Sequence, residues 1–151
     1  MSVLIVLHLL AAVVWVGGMF FAHTAMRPAA ASLPPDARLA LLSDALGRFF
    51  AWVWIAVVLL PVTGYAMAFA YFGGFAHLGP FINIMQGLGW LMILLFLHVF
   101  FSPFRRLRRT LAAGDLAGAA SQMNQIRLFV TINLVLGLVV VVIAGIAHFG
   151  P

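Results

Sequence analysis

The chain contains no cysteine, no lysine and no glutamate. Without cysteine, disulfides, iron–sulfur ligation and thiolate metal sites are excluded. Without glutamate, the acids of this 151-residue chain reduce to Asp36, Asp44 and Asp115. All three lie between apolar runs, so no carboxylate within those runs can relay a proton or hold a hard cation. Without lysine, the net charge of +5 rests on arginine alone. The arginines are too few, and too close to apolar segments, to build the basic face that nucleic acid requires. No nucleic-acid partner is expected.

What is present is apolar. Hydrophobic residues make up 66% of the chain and charged residues 7%. A water-soluble domain of this size cannot hide so much apolar surface, and the bilayer is the solvent that suits it. Four apolar runs, at about 3–26, 49–71, 81–103 and 128–148, each match the ~20 residues that a helix needs to cross ~30 Å of hydrocarbon. Lipid offers no partner to free backbone groups, so each run is predicted as a helix, including the β-branched stretch Val139–Ile143. The first run lacks a positive n-region and is too long for a signal-peptide core, so it reads as a retained span. Gly114 followed by Asp115 reads as a helix stop and an N-cap, which starts the fourth helix near residue 116. Pro61, followed by Gly64, is expected to kink the second span. Gly17, Gly18, Gly137 and Gly145 are expected at close helix contacts.

Arginine placement predicts the topology. Arg27, Arg38 and Arg48 lie between the first two spans, and Arg105, Arg106, Arg108, Arg109 and Arg127 between the last two. The positive-inside rule puts both arginine-bearing connections in the cytoplasm and both termini outside. The expected architecture is all-α: a single-domain, up-down four-helix bundle in a bacterial-type inner membrane. The run "RRLRR" reads as an anchor on anionic lipid.

Five histidines remain: His8, His23, His77, His98 and His148. Ionisable groups within a membrane are costly and point to function, and neutral imidazole is the commonest metal ligand. His8 and His23 lie about 22 Å apart along one helix and within about 60° of the same face, which Trp15 and Met19 share. Alternating helix direction gives two tiers. His23 and His98 share the inner level; His8 and His148, with His77 in the outer loop, share the outer one. Two imidazoles from facing helices can hold a b-type haem in an apolar, aromatic slot. Trp15 would wall that slot, Gly17 and Gly18 would make room for the macrocycle, and Arg27, Arg48 and Arg105 would meet the propionates of an inner haem. The simpler reading of His77 and His148 is an interfacial position, and His98 could snorkel toward the arginines. The pairs Met19/Met26 and Met85/Met92 read as packing, and Thr131 and Asn133 as interhelical hydrogen-bonders.

The stretch "LHLLAAVVWVGGMFF" resembles the opening helix of the copper-resistance D (CopD) family, in which a histidine precedes Trp-x-Gly; here these are His8, Trp15 and Gly17. It is also similar to the related HemJ-type protoporphyrinogen oxidases, which carry a second histidine near the helix end, as His23 is here. "LLPVTGYAMA" and "RLFVTINLVLGLVVVVIAGIAH" resemble CopD-type helices too. The resemblance implies a small polytopic membrane protein that binds b-type haem or handles copper. Three readings stand at this point. The first is a haem protein with one or two haems b, serving electron transfer or a small redox reaction with a quinone or protein partner; as an enzyme it would be a haem-dependent membrane oxidoreductase. The second is copper transport or homeostasis, with the histidines as stepping stones. The third is a structural subunit without cofactor. The small-residue faces are compatible with a homo-oligomer.

Overall fold

The computed structural model describes residues 2–149, with the side chains of Ser2, His148 and Phe149 outside the described set. Helix α1, Ser2–Phe21, runs through a π-helical turn, Ala22–Met26, into the short α2, Arg27–Ala30. Helix α3 spans Pro35–Phe72, and a 3₁₀ turn, Phe75–His77, leads to α4, Pro80–Val99. A second π turn, Phe100–Phe104, joins α4 to α5, Arg105–Ala112, and α6 runs from Leu116 to Phe149. Four of the resulting rods are long and apolar enough to cross a bilayer: Val3–Ala30, Pro35–Phe72, Pro80–Ala112 and Leu116–Ala147.

The helices are longer than the apolar runs suggested, and the excess lies at one end. Helix α3 starts at Pro35, not near Phe49, and its 38 residues reach about 57 Å. The third rod continues past Pro103 to Ala112. The extra turns carry the arginines, and they have a core of their own. Leu107 and Ala119 are fully buried there, with Leu39, Leu42, Leu46, Phe104 and Ile126 around them.

Proline explains both π turns. Pro28 lacks an N–H, and its ring crowds the carbonyl four residues back. The chain responds one turn earlier, where the Arg27 N–H bonds the carbonyl of Ala22, five residues back. Pro103 lies within the second π turn. Helix α3, by contrast, stays α-helical through Pro61. At the start of α6, Gly114 takes a left-handed φ of 72°. Asp115 then accepts the Gly118 N–H at 2.9 Å, an N-cap that satisfies one of the helix's free donors.

The bundle consists of two antiparallel pairs, α1 on α3 and α4 on α6. Aromatic rings join them. Phe50 of α3 meets Phe96 edge-on at 5.5 Å and Phe104 at 4.9 Å, while Trp54 meets Phe96 and Phe100 at 5.3 Å. Trp15 reaches Phe96 from α1 at 6.2 Å. Close backbone contact occurs at two of the four expected glycines. The Phe49 ring fills the space where a Gly18 side chain would stand, and Val16 and Met92 press on Gly137. Gly17 and Gly145 face open space.

Candidate functional site at the arginine-bearing end

The first rod, α1 with the π turn that continues it, presents Trp15 and Met19 to the core, at 3% and 2% exposure, and keeps His8 and His23 half-buried on the same side. The two imidazoles grip different neighbours. His8 Nδ1 lies 2.8 Å from Thr63 Oγ1 on α3. His23 Nδ1 lies 3.4 Å from Thr131 Oγ1 on α6.

His23 and His98 share a depth but not a cavity. His98 is exposed, with its ring edge-on to Phe129 of α6 at 4.9 Å. Thr131 and Phe129 are two residues apart, about 200° around a helix. The two histidines therefore flank α6 on opposite sides. The expected inner pair does not face one another, and depth alone had no means of showing this. His77 is exposed in the 3₁₀ turn, and the side chain of His148 lies outside the described residues. No group of three His, Cys, Asp or Glu side chains converges among the described residues.

The slot expected beside Trp15, Gly17 and Gly18 is closed. Phe49 occupies the Gly18 notch, and Gly17 looks outward. A void of ≈ 10 Å³ remains among Trp15, Phe50, Phe96 and Asn133, room for about one water. Asn133 bridges helices as expected, donating to the Met92 carbonyl at 3.3 Å, while its buried Oδ1 has no partner.

The open space lies lower, where the π turn of α1, the start of α3 and the start of α6 diverge. Its volume is ≈ 600 Å³, within the range of small-molecule and cofactor sites. His23 and Met26 project from the π turn; Met123, Asn124 and Arg127 come from α6; Arg27 and Arg38 complete the polar wall. Leu39, Leu42, Leu46, Ile126 and Val130 supply the apolar wall. Three guanidiniums and no carboxylate line this space, so its electrostatics favour an anionic or acid-bearing ligand. Of the expected propionate partners, only Arg27 lines it. Arg48 is tied to Asp44 at 3.1 Å on the exposed side of α3, and Arg105 lies over the Phe101 ring at 4.7 Å.

Arg38, Arg127, Met26, Met123 and Asn124 were not singled out as site residues from the sequence. The spacing of Met123 and Arg127, four apart on one helix face, was the available signal. Met26 follows His23 by three residues and shares its turn.

A protein family described as Copper resistance protein D, CopD, matches over residues 43–147. No curated protein and no solved structure matches the chain. The match covers α3 from its third turn through nearly all of α6, more than half of the sequence. This four-helix membrane protein belongs to the CopD family.

Proposed function

We propose that this CopD-family protein is a b-type haem protein of the inner membrane, with the haem in the ≈ 600 Å³ cavity and the arginine-bearing end in the cytoplasm. One observation carries the reading: a single cavity offers an imidazole, two thioethers, three arginines and an apolar wall, with no carboxylate. His23 would supply an imidazole to hold the iron. Met123, on a different helix, and Met26 are the soft donors within the same space, and a His/Met set is an established haem ligation. Arg27, Arg38 and Arg127 suit the two propionates as charge-assisted donors. The leucine-rich wall of α3 would offer such a group an apolar face. When bound, such a group supplies one-electron redox chemistry, with a quinone or protein as partner.

A second reading, copper handling, is favoured by the family's description and by the soft set His23, Met26 and Met123. The charge balance places it second. Three guanidiniums line the space with no carboxylate beside them, so their like charge opposes a bare cation while favouring a porphyrin's two carboxylates.

The test is a visible spectrum of detergent-solubilised protein from haem-replete cells, oxidised and reduced. A Soret band that is lost in His23→Ala and kept in His98→Ala is the expected result. Colourless wild-type protein that binds Cu(I) through Met123 would replace the haem reading with the copper one. Colourless protein indifferent to both would leave a structural membrane subunit.

A further inference from the structure

The two histidines of the first rod share a feature that neither the family match nor the cavity requires. Each places Nδ1 against a threonine hydroxyl of a different helix, and in each case that hydroxyl already has its acceptor. Thr63 Oγ1 donates to the Leu59 carbonyl, four residues back, at 2.5 Å. Thr131 Oγ1 donates to the Arg127 carbonyl, also four residues back, at 2.8 Å. A hydroxyl has one proton to give. Both carbonyl contacts are shorter than the corresponding imidazole contacts, 2.8 Å to His8 and 3.4 Å to His23. The hydroxyl protons therefore stay on their own helices, and the threonine oxygens face the imidazoles as acceptors. A neutral imidazole meeting an acceptor at Nδ1 must carry its proton there.

We infer that Thr63 and Thr131 are positioning residues that hold His8 and His23 as the Nδ1–H tautomer, leaving Nε2 on each ring as the lone-pair nitrogen. The first rod thus carries two pre-set Nε2 acceptors, His23 at the cavity and His8 well outside it. Threonine backed by its own helix carbonyl here takes the part that a carboxylate or backbone carbonyl usually plays behind a ligating histidine. It does so without a charge, which suits a span that contains no acid. At His23 the inference deepens the proposed ligand role and its use rests on that reading; at His8 it is independent of it. The shorter contact makes His8 the more firmly held ring.

The test is ¹⁵N–¹H spectroscopy of histidine-labelled, haem-free protein in lipid nanodiscs, at a pH where imidazole is neutral. The expected result is one-bond N–H coupling at Nδ1, and a bare Nε2, for both His8 and His23. Thr63→Val should shift His8 toward the other tautomer while Thr63→Ser keeps it, and Thr131→Val should do the same to His23. A protonated Nε2 with bare Nδ1 on His8 in the wild-type protein overturns the inference, and this outcome needs no variant to fold. Because the protein is read without haem, failure of the haem proposal leaves the result intact. A Soret band that survives alongside an Nε2–H His23 would sink the tautomer and spare the haem.

Discussion

The two ends of the bundle are built differently. At the arginine-bearing end the helices run beyond the apolar runs, pack a small core around Leu107, Ala119 and Ile126, and leave a sizeable cavity. Toward the other end packing thins out. Nothing from Val3 to Leu10 is buried, nor from Pro80 to Leu91, and α3 beyond Thr63 buries only Ala68. Hydrogen bonds take over there. His8 meets Thr63, and the Tyr65 hydroxyl accepts from Trp90 Nε1 at 2.6 Å and from Gln86 at 3.1 Å. In lipid, apolar side chains gain little by leaving the solvent, so helices associate through shape, small residues and polar contacts. The arginine end uses shape and the opposite end uses polar contacts.

This contrast predicts a gradient of mutational cost. The largest effect belongs to Phe50, which is 2% exposed and touches Phe96, Phe100 and Phe104. Phe50→Ala should cost about 3–5 kcal/mol, as large core deletions do. Phe81→Ala at the other end, 45% exposed, should stay within about 0.5 kcal/mol. Unfolding in mixed micelles at rising SDS fraction reads both, and equal costs would erase the distinction between the ends.

Next in size are the cavity arginines. Removing Arg38 or Arg127 should weaken haem retention about tenfold or more each, since a hydrogen bond to a charged group is worth about 1.5–3 kcal/mol. Arg48→Ala should leave it unchanged, because that guanidinium is engaged outside the cavity. Haem transfer to apomyoglobin provides the measurement. Equal loss for all three would point to bulk surface charge rather than a shaped site.

The fold was legible because its determinants are local. Hydropathy runs and the Gly114–Asp115 stop each act within a few residues. The extra length of α3 was less so, since Pro35–Arg48 carries four charges among its alanines and leucines, and Leu39, Leu42 and Leu46 mark its buried stripe. The site depended on rotation as well as depth. Along a helix, depth follows from counting residues, and His23 and His98 meet α6 two residues apart, at Thr131 and Phe129. Which way each faces across a bundle depends on the crossing of three helices, and α6 stands between them. Arg38 and Arg127, far apart in sequence, line one cavity because α3 and α6 both extend past the apolar runs at that end. Of the stretches that carry the resemblance, the one with His8, Trp15 and Gly17 lies before residue 43, where the family match begins, whereas "LLPVTGYAMA" lies within the match and "RLFVTINLVLGLVVVVIAGIAH" overlaps it. The match over α3 to α6 therefore supports the family without drawing on the first helix.

The smallest predicted effects test the polar end. Thr63→Val removes the acceptor of the His8 contact and the hydroxyl bonded to Leu59, and its cost should be about 1 kcal/mol, toward the upper part of what interhelical hydrogen bonds give in membranes. Tyr65→Phe removes the acceptor for two donors, yet it should cost less, about 0.5 kcal/mol. The reason is access. Thr63 is 2% exposed, so the polar atoms it abandons stay buried, whereas Trp90 is 45% exposed and its indole N–H can turn to headgroups or water. The same freedom should show as a red shift in Trp90 emission, measured in a protein whose other three tryptophans are replaced by phenylalanine. If Tyr65→Phe proved costlier than Thr63→Val, burial would not be what sets the worth of these contacts, and the polar end would be held chiefly by its Tyr65–Trp90–Gln86 cluster.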